Sequence, residues 1–341
     1  MTRIDIGVFA YNEALNIAVI LDELIRQETT AFDVKILVLA NGCTDDTVTR
    51  AHSSALAGKR LGSNFSIEVL DLPQGGKSRT WNRFVHDLSR PDSDVLIFCD
   101  ADIIIPEPDS LVRLVRGLSD NSKLHAFNSQ PVKDIVHRPQ NLSPMDKAIS
   151  MASGTLNDWK TAICGSLYAM PSSKARALHM PVGLAVEDGF LRAMILTNVM
   201  TIDEDFSRIG GGDVFHVYAS ERSVLALIRH QTRIVIGSSV NQATFAELRE
   251  LPANLRQLAL ADAAGQEAWL SNVINRRLPQ WPTGWIPLHF LTKRVHFISS
   301  QPQNLLNPRK LFVLLMGFGF DLVVYVNAQI KMARGTGAGH W

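Results

Sequence analysis

The fold is decided by a stretch in which an apolar run ends in two carboxylates: Asp94-Val95-Leu96-Ile97-Phe98-Cys99-Asp100-Ala101-Asp102-Ile103-Ile104-Ile105-Pro106. The run at 95–99 is short, continuous and apolar, which is typical of a strand buried in a parallel sheet. Asp100 and Asp102 follow it, at the edge where an α/β sheet opens its ligand crevice. They could hold a divalent cation, which commonly also binds substrate phosphates. A strand-end turn capped by aspartate would give the same tripeptide.

The preceding residues predict further strands that end at the same edge. Apolar runs at 4–10 and 34–39, and a shorter and more polar run at 66–70, alternate with segments of helical periodicity, which predicts a parallel, doubly wound sheet. The first two runs end in polar turns, Tyr11-Asn12-Glu13-Ala14 and Ala40-Asn41-Gly42-Cys43-Thr44-Asp45-Asp46-Thr47. This is the position expected for a nucleotide.

A glycine-containing loop lies between the third run and the central strand. Gly75, Gly76 and Lys77 could bring backbone N–H groups and a cation to a phosphate. The loop matches neither the GxxxxGK[ST] nor the GxGxxG pattern. A solvated surface lysine is the alternative interpretation of Lys77.

The middle of the chain carries a second acidic pair. Residues 128–144 are polar and contain proline, so we expect irregular structure there, and 163–170 predicts a strand. Glu187 and Asp188 would begin a helix, where ordinary stabilisation of the helix dipole is the alternative to a catalytic role.

Composition narrows the class of protein. The 341 residues are 46% hydrophobic with a net charge of +1, which allows a large core and gives no overall field for nucleic acid. Three cysteines without metal spacing fit a reducing compartment. The first residues run directly into a strand pattern without an apolar leader, so we expect a cytoplasmic protein.

The last hundred residues predict helices and one apolar segment. Residues 311–330 are almost wholly apolar and are flanked by Arg309, Lys310, Lys331 and Arg334, while Asp321 lies near the middle. This segment could span a membrane, lie in its plane or pack on the catalytic domain. The first two alternatives place the protein at the inner face of the cytoplasmic membrane, with a lipid-linked acceptor as one option.

The ordered set of motifs closely resembles the family 2 glycosyltransferases, over roughly residues 1–235. The resemblance rests on the two polar turns, on Gly76-Lys77, on Asp100-Ala101-Asp102 and on Glu187-Asp188. It implies a GT-A fold, which is a Rossmann-like α/β architecture with a mainly parallel central sheet flanked by helices, here followed by a helical C-terminal extension. It also implies an inverting, metal-dependent transfer from a nucleoside-diphosphate sugar to a hydroxyl of a glycan or a lipid-linked saccharide.

The resemblance also implies roles for single residues. The nucleotide would contact Ala10, Tyr11, Asn12, Glu13 and Asn41. Asp100 would contact the ribose or sugar, and Lys77 the phosphates. Asp102 would bind Mn²⁺ or Mg²⁺. Asp188 would be the general base beside Glu187, and Gly165 would lie on the acceptor side. His216 could approach the metal, with a structural histidine as the alternative.

Two departures from the family pattern affect specificity. The second turn carries Ala40-Asn41 where paired acids are usual, and asparagine can donate as well as accept hydrogen bonds. The Gln-x-x-Arg-Trp motif of processive members is reduced to Arg233, predicted to bind substrate, so we expect one sugar to be added per encounter. A sugar-1-phosphate nucleotidyltransferase and a non-catalytic sugar-nucleotide-binding protein remain alternatives.

These assignments predict the organisation of the chain. Residues 1–105 would form the nucleotide-sugar-binding half of one GT-A domain, and 106–240 its acceptor-binding and catalytic half. Residues 241–341 would form the helical C-terminal region. No pattern predicts the oligomeric state.

Overall fold

A computed structural model describes residues 1–60, 65–139, 142–143, 146, 158–279, 285–292 and 308–335. The strands are β1 (Thr2–Ala10), β2 (Phe32–Asn41), β3 (Phe65–Leu72), β4 (Val95–Asp100), β5 (Ile103–Ile104), β6 (Ala126–Lys133), β7 (Leu167–Pro171) and β8 (Ile209–Tyr218). The helices are α1 (Ile17–Ile25), α2 (Thr47–Arg60), α3 (Lys77–Arg83), α4 (Ser110–Ser119), α5 (Asp134–His137), α6 (Ser172–Ala175), α7 (Glu187–Leu196), α8 (Val224–Glu250), α9 (Ala253–Gly265), α10 (Glu267–Arg277) and α11 (Pro308–Ala333).

One mixed sheet with the order β3-β2-β1-β4-β7-β6-β8-β5 runs through the protein. The first four strands are mutually parallel, as the alternation of strand and helix predicts. Strand β7 then runs antiparallel to both β4 and β6, while β6 and β8 are parallel. The carboxyl ends of β1, β2, β4, β6 and β8 therefore lie at one edge of the sheet.

The buried strands separate two hydrophobic clusters. Successive side chains of a strand point to opposite faces, so Ile97 packs with α1, α2 and α4, whereas Phe98 packs with α3, α7 and α8. Because helices cover both faces of the sheet, these strands appear in the sequence as continuous apolar runs. The two faces of the sheet are covered, whereas its carboxyl edge remains available for ligands.

Three boundaries differ from expectation. The segment expected to be irregular at 128–144 contains β6, in which Pro131 is tolerated because it lies past a bulge, where β6 is paired only with β8. The strand expected at 163–170 is shorter and lies at Leu167–Pro171. Helix α8 runs from Val224 to Glu250, across the predicted boundary between residues 240 and 241.

The C-terminal helices pack on the same face as α7. Helix α11 lies against α8 and buries Asp321, Val324, Ala328 and Met332. The Gln329 amide exchanges hydrogen bonds with the backbone of Ile286, to which the Tyr325 hydroxyl also donates at 2.9 Å. Within the described residues one helix, Val313–Ala333, is long and apolar enough to cross a membrane, judged by length and composition alone.

Candidate active site

Polar groups converge on a pocket at the carboxyl edge of β1, β2 and β4. The parallel register places Ala10 beside Ala40 and Phe9 beside Asp100, so the turns that follow these strands lie next to one another. The pocket has a volume of about 180 Å³ and is lined by Phe9, Tyr11, Glu13, Asn41, Lys77, Asp100 and Asp102. Six of these seven residues are sequence-predicted site residues.

Asn41 joins three chain segments beneath this pocket. Its side chain is buried, its amide donates to the Ala10 carbonyl at 2.9 Å, and its oxygen accepts from the Gly76 N–H at 3.2 Å. The neighbouring Gly42 has φ +63°, and a Cβ there would lie 3.0 Å from the backbone of Gly75. The residue that departs from the family pattern therefore uses both halves of its amide to fix the glycine loop.

Asn12 and Glu13 hold the first two turns together. Asn12 adopts φ +55°, and its side-chain oxygen accepts from the Thr44 N–H at 2.8 Å. The Glu13 N–H donates to the Thr47 hydroxyl at 2.8 Å. Burial, partly offset by Asn16, raises the pKa of the Glu13 carboxyl. Asn12 thus shapes the turn, whereas Glu13 also lines the pocket.

Lys77 begins α3 and reaches into a group of carboxylates. Its ammonium lies 2.7 Å from one oxygen of Asp100 and 3.3 Å from Glu187, and it donates to the Gly165 carbonyl at 3.3 Å. Its side chain is 18% exposed, so the interpretation as a solvated surface lysine is wrong. Burial alone would lower the pKa of Lys77, but Asp100 and Glu187 outweigh it and raise the pKa.

The second acidic pair opens α7 on the other side of Lys77. The Asp188 carboxylate accepts from the Gly189 N–H at 2.6 Å, and burial, reinforced by Glu187, raises the pKa of Asp188 to about 6. Gly165 has φ +60°, and a Cβ there would lie 3.5 Å from the Asp188 carboxylate. A carboxylate with this pKa is mostly ionised at neutral pH and can accept a proton.

Arg233 and His216 occupy different surroundings. Arg233, on α8, lowers the pKa of Asp188 through its charge and so lies on the side of the acidic pair. His216 is fully buried in β8, where its Nδ1 lies 2.9 Å from the Ser129 hydroxyl, and burial lowers its pKa to about 3. No contact in the described structure links His216 to Asp102, so the role of His216 as a metal ligand stays a prediction. Its buried surroundings fit the alternative interpretation, that it is a structural histidine.

Comparison with known proteins finds a family match in the first part of the chain. Residues 5–158 match the family model described as Glycosyl transferase family 2. This segment of the chain is similar to glycosyl transferase family 2. The match covers the first six strands, with the Asn41 bridge, Lys77, Asp100 at the end of β4 and Asp102 just after it, and it confirms the predicted resemblance to this family.

One solved structure shares the fold over nearly the whole chain, and a second matches less closely. A mannosyltransferase from Pyrobaculum calidifontis, in complex with GDP-Man and Mn²⁺, matches with a TM-score of 0.53 and 16% identity, over 96% of this chain and 86% of that one. Glucosyl-3-phosphoglycerate synthase from Mycobacterium tuberculosis, with Mg²⁺ and UDP, matches with a TM-score of 0.44 and 20% identity, over 71% of this chain and 77% of that one. No curated protein sequence matches significantly. The first of these structures confirms the predicted fold class, and its Mn²⁺ is one of the predicted metal ions.

The segment matched by the family model offers ligands suited to Mg²⁺ or Mn²⁺. Asp102 is exposed at the pocket, and its charge raises the pKa of Glu13, so the two carboxylates lie near each other. Among the described residues no group of three or more His, Cys, Asp and Glu could enclose a metal. Mg²⁺ is typically bound by one or two carboxylates together with substrate phosphates, and this donor set fits that pattern.

Sequence reasoning missed the aromatic support under the site. Phe9 lines the pocket. In the sequence, the one feature that could have predicted this role is its position as the last large apolar residue before a polar turn. Below Asp100, the rings of Trp81, Phe98 and Tyr168 stack with centroid distances of 5.5 and 4.6 Å. The Trp81 N–H donates to the Tyr168 hydroxyl at 3.0 Å. Their spacing in the sequence gives no hint of this stack.

Proposed function

We propose that the protein transfers a sugar from a nucleoside-diphosphate sugar to an acceptor hydroxyl, with inversion at the anomeric carbon. The observation that carries this proposal is the position of Lys77 between Asp100 and the Glu187–Asp188 pair. A single displacement needs a cation that stabilises the leaving diphosphate and a base that accepts the proton of the attacking hydroxyl. Both groups must lie close to the reacting carbon at the same time, and this edge of the sheet brings such groups together.

The donor would occupy the pocket at the ends of β1, β2 and β4. Tyr11, Glu13 and the segment held by Asn41 would contact the nucleotide, and Lys77 would contact the diphosphate. Asp102 would hold Mn²⁺ or Mg²⁺, and Asp100 would contact the ribose or the sugar. The metal, when bound, stabilises the charge that develops on the leaving diphosphate.

The acceptor would be activated by Asp188. Its raised pKa and its place across Lys77 from the pocket support a role in taking the proton of the acceptor hydroxyl. Gly165, which leaves open space in front of the Asp188 carboxylate, would admit that hydroxyl. The loss of all but Arg233 from the processive motif supports the addition of one sugar per encounter.

We also propose that α11 lies in the plane of the inner face of the cytoplasmic membrane, where the acceptor would be a lipid-linked saccharide. Asp321 faces the protein, whereas Val313, Leu315, Met316, Val323 and Val326 are exposed. An exposed apolar helix face flanked by basic residues favours a lipid surface as its partner. The buried position of Asp321 and the hydrogen bonds to Ile286 support this placement over a spanning helix. The free thiols Cys43, Cys99 and Cys164 support a reducing compartment.

Thermal unfolding with UDP-, GDP- and dTDP-sugars, each with Mn²⁺ or chelator, tests the transferase proposal. A ligand that binds only the folded state raises the melting temperature, so one nucleotide should raise it in a metal-dependent way. Asp102→Ala should abolish that dependence, and Asp92→Ala, at an exposed ion pair with Arg3, should preserve it. Absence of a shift with every sugar nucleotide would contradict the proposal. A shift without release of nucleoside diphosphate on any acceptor would indicate a non-catalytic member.

A further inference from the structure

A second cleft lies further along the carboxyl edge of the sheet, beside β6 and β8. It has a volume of about 430 Å³ and is lined in part by Arg113, Gln130, Trp159, Lys160, Asp213 and Phe215. It shares no lining residue with the donor pocket. Ligand sites of this size commonly combine aromatic surfaces with a few placed polar groups.

Trp159 is a partly exposed but fixed wall of this cleft. Its indole lies against Gly211, where an added Cβ would approach the ring to 2.3 Å. The buried Asn128 amide donates to the carbonyls of Trp159, at 3.3 Å, and of Ala162, at 2.6 Å. The Lys160 ammonium lies 5.6 Å from the centroid of the indole. The indole is thus a positioned flat surface, and the exposed Lys160 side chain places its ammonium over it.

The polar side of the cleft is also positioned in advance. The Arg113 guanidinium donates to Asp109 at 2.8 Å, to Glu107 and to the Asp213 carbonyl. Its Nε is buried and has no hydrogen-bond partner among the described residues. Gln130 adds an amide that can both donate and accept. The cleft thus offers fixed hydrogen-bonding groups beside an aromatic surface.

The segment that carries Trp159 continues into the candidate active site. Six residues further on, the Gly165 carbonyl accepts from Lys77. The Thr161 carbonyl accepts from Arg192 Nε at 2.9 Å, on the same helix as Asp188. Because six residues span at most about 20 Å, the cleft lies within reach of a short oligosaccharide that extends from Asp188.

We propose that this cleft binds an inner sugar of the acceptor, so that the acceptor is a saccharide of at least two units. The C–H face of a pyranose ring would pack on Trp159, and its hydroxyls would pair with Gln130, Arg113 and Asp213. The inference rests on the proposed transferase function and adds the class of acceptor to it.

A microarray of defined mono- and oligosaccharides, probed with the protein in UDP or GDP and Mn²⁺, tests the proposal. We expect binding to glycans of two or more sugars and about tenfold weaker binding by Trp159→Ala, because an aromatic anchor is lost. Trp159→Phe should retain most of the binding. Phe206→Ala is the matched control, since Phe206 is 49% exposed and lies outside the cleft.

Gly211→Ala is a second variant, which keeps the indole of Trp159 but displaces it. It should weaken oligosaccharide binding. The metal-dependent thermal shift by the sugar nucleotide should be unchanged. Unchanged glycan binding by Trp159→Ala, or the absence of any bound oligosaccharide, would overturn the proposal. Failure of the transferase function itself would instead abolish the thermal shift. The two failures are therefore distinguishable.

Discussion

The Lys77 ammonium lies 2.7 and 2.8 Å from the two carboxylate oxygens of Asp100. The contact joins the start of α3 to the end of β4, across 23 residues of sequence. Burial raises the pKa of Asp100 to about 6, and Lys77 opposes that rise. Lys77 therefore keeps a carboxylate ionised at the place where the donor phosphates are proposed to bind.

Lys77→Met should destabilise the fold and weaken donor binding. Removing one partner of a buried ion pair leaves the carboxylates of Asp100 and Glu187 uncompensated, at a cost of about 3 kcal/mol or more. Urea unfolding at pH 7 and calorimetric titration of the nucleotide measure the two effects. Lys35→Met removes a pair with a single carboxylate, that of Glu68, which is 50% exposed and can be solvated, so this variant should cost less than about 1 kcal/mol. Equal losses in both variants would contradict the role of Lys77.

Asp188→Asn should separate turnover from donor binding. Because a positioned base contributes about 10²–10⁴-fold, we expect kcat to fall by that factor while the thermal shift by the sugar nucleotide persists. Glu187→Gln should have its main effect through Lys77, on stability. Near wild-type turnover of Asp188→Asn would show that another group, with Glu187 the first candidate, takes the proton.

The pH dependence should report the raised pKa of Asp188, which is about 6. Below pH 6 the carboxyl is protonated and cannot accept the hydroxyl proton, so kcat/KM should fall about tenfold per pH unit. Stability changes in the opposite sense. Because the folded pKa exceeds the ordinary value of 3.8, the folded state binds the proton more readily, and this group's contribution to stability falls as pH rises from about 4 to about 6.

The comparison of wild type with Asp188→Asn isolates that group. The wild-type rate profile should show the acidic limb near pH 6. The difference in unfolding free energy between the two proteins should change between pH 4 and 6 and stay constant above about pH 7. A difference that does not vary with pH would contradict the raised pKa.

Asn41→Asp should destabilise the protein at neutral pH although it restores the acidic residue usual in the family. An ionised carboxylate could accept from Gly76 but could not donate to the Ala10 carbonyl, which would cost about 1–3 kcal/mol. Lowering the pH should recover part of this loss, because a protonated carboxyl can donate. Asn121→Asp is the control, since Asn121 is exposed and its oxygen accepts from Lys123. Equal stability of the two variants in urea would contradict the bridging role.

Vesicle co-sedimentation tests the position of α11. We expect the wild type to sediment with vesicles of phosphatidylcholine and phosphatidylglycerol, and Val323→Glu combined with Val326→Glu to remain in solution. The two valines are 46% and 47% exposed on the outer face of α11. Leu255→Glu with Leu258→Glu, on α9, changes two other exposed leucines and should not affect sedimentation. A wild type that does not sediment would contradict the lipid surface. A dimer that the valine substitutions break would identify a second copy of the chain as the partner of α11 instead.

The positions of the strands and their polar ends could be predicted because they depend on local patterns. The runs at 4–10, 34–39 and 95–99 are apolar enough to be buried on both faces, and parallel strands present their carboxyl ends at one edge. The same patterns failed at β6, where Pro131 and polar residues concealed a strand paired on one side only. They also ended the catalytic half at residue 240, inside a helix that continues to Glu250.

By itself, the sequence determined the parallel half of the sheet, the order of the acidic motifs and the apolar character of residues 311–330. Only the tertiary structure decided between the alternative interpretations of single residues. It buries Lys77 among carboxylates, makes Asn41 a bridge and turns Asp321 toward the protein. It also sets Trp159 on Gly211, 52 residues apart in sequence. The physical reason is that periodicity reflects burial along one segment, whereas pKa values, ion pairs and clefts arise between segments distant in sequence.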